Sequence, residues 1–188
     1  MKDQKLRNSV RIFTNLHAMV FAAILVAISV TGKLFAINLG EMLRISYENL
    51  PIAMAGIIFG PFAGFVVGIC ADICGCLAVA YTINPIITLG AGAIGLVCGT
   101  ISLFVKNRFS PVWLIVSDVA GHIVGSIIIK TIGIAIYYGA ENGFWALMFT
   151  RVATYIPVVI FEIIIFVFLL TNKHINRELI KLTQRKIK

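Results

Sequence analysis

The chain has 188 residues, 60% of them hydrophobic and 13% charged, with a formal net charge of +8. A soluble domain of this length carries roughly 25% charged residues, so the composition excludes an ordinary water-soluble globule. The positive balance does not require a nucleic-acid partner, because the basic residues fall between long apolar runs, where membrane topology and anionic lipid account for them.

In chain order, six apolar segments are predicted, at about 12–36, 45–59, 61–81, 85–105, 111–138 and 144–171. The expected fold is an all-α membrane protein with six transmembrane helices in one domain, 1–188, ending in a basic tail, 172–188. The N-terminal residues resemble the charged start of a signal peptide. The apolar run behind them is long and lacks a clear cleavage site, so it reads as a retained first helix. The second segment is short and reads as entering the membrane from a partly buried loop. Gly60-Pro61 separates the second and third segments, Asn84-Pro85 opens the fourth, and Pro111 opens the fifth.

Charge sets the expected orientation. Lys2, Lys5, Arg7 and Arg11 precede the first segment, Lys106 and Arg108 follow the fourth, and Lys173, Arg177, Lys181, Arg185, Lys186 and Lys188 follow the sixth. Six spans put all three groups on one side, and the positive-inside rule makes that side the cytoplasm, with both termini there. Apolar positions in the tail would let it lie along the membrane interface.

Small residues recur at spacing four. Gly64 and Gly68, then Ala91, Gly95 and Gly99, then Gly121 and Gly125 read as flat strips for internal helix packing. On the first segment, Ala18 and Ala22, and Ala23 and Ala27, form similar pairs that either pack internally or face another protein. Cys70, Cys74, Cys76 and Cys98 lie in apolar stretches and read as small packing residues. No disulfide framework, metal centre or cofactor is expected.

The informative residues are the polar ones that a membrane helix should avoid. Under the expected topology Lys33, Arg44, Lys130 and Arg151 lie in the outer half, where they either attract an anionic ligand or pair structurally. Tyr47, Glu48, Asn49, Tyr81, Thr82, Asn84, Tyr137, Tyr138, Trp145 and Tyr155 share that zone. They form either an interface belt or the walls of a site for a flat heteroaromatic ligand. Deeper lie Asp72, Asp118, His122 and Glu162, which suit either proton coupling or helix bracing; Asp118 and His122 stand one turn apart and can pair locally. No phosphate-binding G-x-x-x-x-G-K-[ST], H-E-x-x-H or G-x-S-x-G motif occurs, so neither an intrinsic ATPase nor an enzyme is expected.

The segments LRISYENLPIAMAGIIFGPFAGFVVGICADICG (43–75) and YTINPIITLGAGAIGLVCG (81–99) together resemble the folate-specific S component, the substrate-binding membrane subunit of energy-coupling factor (ECF) transporters. The G-P-x-x-G-x-x-x-G-x-x-x-D-x-x-G portion is similar to several S-component families, whereas RISYENLPI and YTINP with TLGA carry the folate resemblance. The resemblance implies a six-helix subunit of the bacterial cell membrane. It would capture its vitamin in an outward-facing pocket closed by the loops after the first and third helices. It would dock on a transmembrane coupling subunit carried by two ATPase subunits, whose ATP hydrolysis topples it to release the vitamin inside. Small residues on the first helix would form part of the docking face, with Ala23 and Ala27 fitting the family register better than Ala18 and Ala22. The implied folate site draws on Lys33, Arg44, Glu48, Asn49, Tyr81, Asn84, Lys130, Arg151 and Tyr155. Cations suit the glutamate carboxylates, with arginine favoured for bidentate pairing; aromatic rings suit the pterin and benzoyl groups; Glu48, Asn49 and Asn84 suit the pterin edge. Asp72 belongs to the shared portion and is expected to brace helices with Gly64 and Gly68. The alternatives are an S component for another vitamin and a stand-alone proton-coupled carrier working through Asp72, Asp118 and Glu162.

Overall fold

The computed structural model describes residues 16–38, 44–105, 109–138 and 143–171. Helix α1 (Leu16–Leu34) is followed by a two-residue pair of antiparallel strands, β1 (Ile37–Asn38) and β2 (Arg44–Ile45). Then come α2 (Asn49–Phe59), α3 (Pro61–Ala78) and α4 (Pro85–Phe104). A continuous helical rod follows, made of α5 (Pro111–Gly121), a π-helical stretch (His122–Ile129) and α6 (Lys130–Tyr138), and α7 (Phe144–Thr171) closes the bundle.

Local chemistry explains the boundaries. Pro61, Pro85 and Pro111 each sit in the first turn of a helix, where the missing N–H is not needed. The Asn84 side chain caps α4 by accepting from the backbone N–H groups of Ile86 and Ile87. Between α2 and α3 the chain reverses at Gly60, whose φ of 95° lies where a side chain would be strained.

Among the described residues five helical stretches are long and apolar enough to cross a membrane. Helix α2, at 11 residues, reaches only about 16 Å, roughly half of a hydrocarbon core about 30 Å thick. The segment expected at 45–59 is therefore not helical throughout, because Arg44 and Ile45 pair with β1 instead. That fold-back delivers α2 into the bundle at depth: the Ser29 hydroxyl on α1 donates to the Glu48 carbonyl at 2.6 Å, and Asn49 is buried.

Successive elements run antiparallel. Phe21 of α1 stacks edge-on against Phe59 of α2, while Lys33 meets Asp72 in the second half of α3. Gly95 of α4 lies against Gly64, Gly90 lies against Gly125 of the rod, and Glu162 of α7 reaches His122. Phe109 and Phe21 both pack on one apolar cluster, and Phe109 lines a pocket with Phe166 and Leu169, so α1 begins and α7 ends at the same end of the bundle. We call this the near end and the opposite one the far end. The basic groups that argue for a cytoplasmic near end, at the N-terminus, at Lys106 and Arg108 and in the tail, lie outside the described residues.

Helix α4 is central. A Cβ on Gly64 would stand 2.6 Å from both the Gly95 carbonyl oxygen and the Gly56 Cα, and one on Gly68 2.5 Å from the Ala91 carbonyl oxygen. These are backbone contacts, and the glycines are what let α2, α3 and α4 approach so closely. The solvent-facing pattern is inverted relative to a soluble protein. Met19, Ile24 and Ile28 on α1 and Ile160, Ile164 and Phe168 on α7 are exposed, while Lys33, Asp72, Asp118, His122, Lys130, Arg151 and Glu162 are buried. A surface bathed in lipid tails is apolar, and ionisable side chains turn inward to partners. The cysteines divide: Cys76 and Cys98 are buried packing residues, but Cys70 and Cys74 are exposed on the outer face of α3, a departure from the packing role expected for all four.

Candidate functional site

The buried polar side chains form four groups spread from the far end towards the middle of the bundle. In the first, Lys33 in the last turn of α1 places Nζ 2.5 Å from Asp72 Oδ1 on α3. The Thr88 hydroxyl on α4 donates to Asp72 Oδ2 at 2.7 Å. This brace joins three helices and satisfies both charges. Lys33 also approaches the Asp72 carbonyl oxygen at 3.4 Å and Cys76 Sγ at 3.3 Å.

In the second group Lys130, at the start of α6, donates to Asn49 Oδ1 at 3.2 Å and lies 3.6 Å from Glu48 Oε1. These contacts tie the rod to the sunken start of α2. The N-terminus of a helix carries a partial positive charge, and at the start of this half-length helix it stands with the Lys130 ammonium and the Glu48 carboxylate. The third group is Arg151 of α7. Its Nη2 donates to the Tyr155 hydroxyl at 3.2 Å and the Ser126 carbonyl oxygen at 3.4 Å, and its guanidinium stands 5.4 Å from the Tyr155 ring centre. Arg151 is 7% exposed, its Nε has no hydrogen-bond partner, and no carboxylate pairs with it among the described residues. Deepest is the fourth group, where His122 Nε2 lies 2.6 Å from Glu162 Oε2 and 4.0 Å from Asp118 Oδ1.

Asp118, His122, Ser126 and Lys130 follow one another at spacing four on the rod. Gly121, Gly125 and Gly133 turn another face of it to α4. The rod therefore separates a smooth packing face from a polar one.

The residues singled out in the sequence occupy different places. Lys130, Glu48 and Asn49 come together, and Arg151 joins Tyr155. Lys33 is instead occupied by Asp72. Asn84 is occupied as the α4 cap and by donating from Nδ2 to the Gly133 carbonyl oxygen at 3.2 Å. Tyr81 is exposed in the loop after α3. Arg44 is described only by its backbone pairing with Asn38. The His122 imidazole faces Asp118 one turn away at 4.0 Å and also Glu162 across the bundle, which lies closer at 2.6 Å. On α1, Ala18 is buried and Ala22 half-buried, whereas Ala23 and Ala27 are exposed on one face.

Thr88 and Ser126 were not singled out in the sequence. Their signal was spacing: Thr88 lies one turn after Asn84, and Ser126 midway between His122 and Lys130. A small, half-open apolar pocket towards the near end is lined by Met54, Ile57, Ile58, Phe109, Leu114, Phe166 and Leu169 and so offers a charged solute no polar anchor.

Comparison with known proteins matches residues 17–170 to the family described as ECF transporter, substrate-specific component. Among solved structures, the chain is similar to a crystal structure of FolT bound with folic acid, with a TM-score of 0.68 and 23% identity over 82% of this chain and 93% of that one. This likeness shows a shared fold. A Mycoplasma pneumoniae protein described as an uncharacterized MG313 homolog is 38% identical over 72 residues, which are 38% of this chain and 25% of that relative. The match thus spans about a quarter of the relative's length.

Proposed function

The chain belongs to the ECF transporter substrate-specific component family, and from that premise we propose that it is the folate-binding membrane subunit of an ATP-driven vitamin uptake system. Arg151 carries the reading. A buried guanidinium with no carboxylate against it among the described residues is costly in a membrane interior. A ligand carboxylate removes that cost, and the glutamate portion of folate supplies two. The fold shared with FolT, whose solved form holds folic acid, and the RISYENLPI and YTINP segments support folate over other vitamins.

In this reading the far end faces outward and the near end, with both termini, faces the cytoplasm. Arg151 and Lys130 receive the carboxylates, the Tyr155 ring offers a stacking face, and Glu48 and Asn49 meet the polar edge of the pterin. Arg44 and Tyr81 stand at the mouth. Lys33 and Asn84, both held inside the protein, act as brace and cap rather than as ligand contacts. The exposed Ala23 and Ala27 dock against a transmembrane coupling subunit carried by two ATPase subunits. ATP hydrolysis there topples the subunit and releases folate inside.

Titration of the purified protein with folate tests the site. A hydrogen-bonded pair with a charged group contributes about 1.5–3 kcal/mol, or roughly 10–150-fold in affinity. Arg151→Ala is expected to weaken binding by that factor and Arg151→Lys by less. Unchanged affinity in Arg151→Ala refutes the assignment. Uptake into proteoliposomes separates this reading from a stand-alone carrier: transport by this chain without ATP-hydrolysing partners supports the carrier.

A further inference from the structure

Asp118, His122 and Glu162 stand out because nothing in the folate reading uses them. They come from α5, the start of the π-helical stretch and α7, and are 0%, 1% and 0% exposed. One ligand-type atom from each lies within 4.8 Å of the others. Both Asp118 oxygens and Glu162 Oε1 are buried without a hydrogen-bond partner. Such groups are costly to leave unsatisfied in an apolar interior, and two carboxylates facing each other add repulsion.

Proton sharing alone leaves the cluster incomplete. A proton between His122 Nε2 and Glu162 Oε2 accounts for their short contact. It leaves Asp118 either as an anion with no donor or as an acid whose hydroxyl has no acceptor among the described residues. The other imidazole nitrogen, Nδ1, lies 3.1 Å from Ser126 Oγ. When that hydroxyl oxygen accepts from Nδ1–H, the Nε2 lone pair points at the two carboxylates. This is the outer-shell arrangement that orients a metal-binding histidine.

We propose that Asp118, His122 and Glu162 form a binding site for one divalent first-row transition ion, with Zn²⁺ the best-matched probe. One imidazole nitrogen and two carboxylate oxygens suit such an ion. Two carboxylates and a neutral imidazole balance a 2+ charge, so the occupied site is neutral in a medium that penalises net charge. The ion satisfies Asp118 and Glu162 together and clamps the rod to α7. It lies one turn below Ser126, whose carbonyl oxygen accepts from Arg151.

The test uses tag-free protein in which Cys70→Ser and Cys74→Ser remove the exposed thiols as competing ligands. The protein is stripped with chelator and equilibrated with Zn²⁺, and bound metal is counted by mass spectrometry. The expected result is one ion per chain, with a rise in melting temperature on Zn²⁺ addition. Asp118→Asn and Glu162→Gln each weaken binding at least about tenfold and lose the thermal shift, and Ser126→Ala weakens it about tenfold through the histidine. Co²⁺ substitution gives d–d bands of nitrogen and oxygen ligands without a thiolate charge-transfer band. Retained folate binding in the variants shows that they are folded, and His122→Ala serves where either carboxylate variant is not. Absence of bound Zn²⁺ in the parent protein overturns the proposal, as does full occupancy in both carboxylate variants.

Discussion

Replacing Asp72 with alanine isolates a short, buried ion pair that joins α1 to α3. At the 2.5 Å separation of Lys33 Nζ and Asp72 Oδ1, an effective dielectric of about 20 makes their attraction roughly 6–7 kcal/mol. Desolvation of the two ions offsets much of this, so the pair contributes little net stability over an apolar pair. Asp72→Ala is different, because it takes the nearest carboxylate from the buried Lys33 ammonium, for which Cys76 Sγ at 3.3 Å and the backbone carbonyl oxygen of residue 72 at 3.4 Å are weaker acceptors. Thr88 loses its carboxylate acceptor but keeps the Asn84 carbonyl oxygen at 3.1 Å. The expected loss is about 3–5 kcal/mol. For a chain of this size that corresponds to a fall in melting temperature of about 6–20 °C, read by thermal unfolding in detergent. The double variant Lys33→Met, Asp72→Val removes both charges and is expected to stay within about 1 kcal/mol of wild type, with folate affinity unchanged. A single variant that melts like wild type, or a double variant as unstable as Asp72→Ala, refutes the brace. Loss of folate binding in a stable double variant would return Lys33 to the ligand site.

Gly64→Ala places a methyl group against backbone on two sides and is expected to cost about 1–3 kcal/mol; Gly143→Ala, which meets nothing within 4 Å, is the control, and equal melting temperatures for the two count against the close-packed junction. Asn84→Ala removes a helix cap and the tie to the Gly133 carbonyl oxygen, for an expected loss of about 1–2 kcal/mol seen in the same melts. Ala23→Leu combined with Ala27→Leu is expected to abolish co-purification with the coupling subunit while leaving folate titrations unaltered; impaired folding would instead place these residues in an internal interface.

The membrane character of the chain was legible because it depends on composition, and the helix starts because proline and asparagine act locally. Partner choice among the buried charges was not legible. Lys33, Lys130 and Arg151 look alike in the sequence, as basic residues in apolar surroundings. Their fates differ because each meets a different neighbour across the bundle: Asp72 for Lys33, Glu48 and Asn49 for Lys130, and Tyr155 with a backbone carbonyl for Arg151. The two alanine pairs of α1 are equally indistinct by spacing. They separate once α2 and α3 cover Ala18 and leave Ala23 and Ala27 exposed.

By itself the sequence determined a multi-helix membrane protein and the glycine strip that brings α3 onto α4, since hydropathy, helix-starting residues and missing side chains act over a few residues. The shortness of the second segment was legible as well, but only the tertiary structure decided that α2 begins at Asn49, buried, after Arg44 and Ile45 are drawn into a strand pair. It also decided that Glu162 of α7 joins Asp118 at the His122 imidazole and lies closer to it, and that one buried arginine is left without a carboxylate among the described residues. Those outcomes depend on which side chains meet across separate helices, and a one-dimensional pattern of apolar and charged residues does not encode the distances between them.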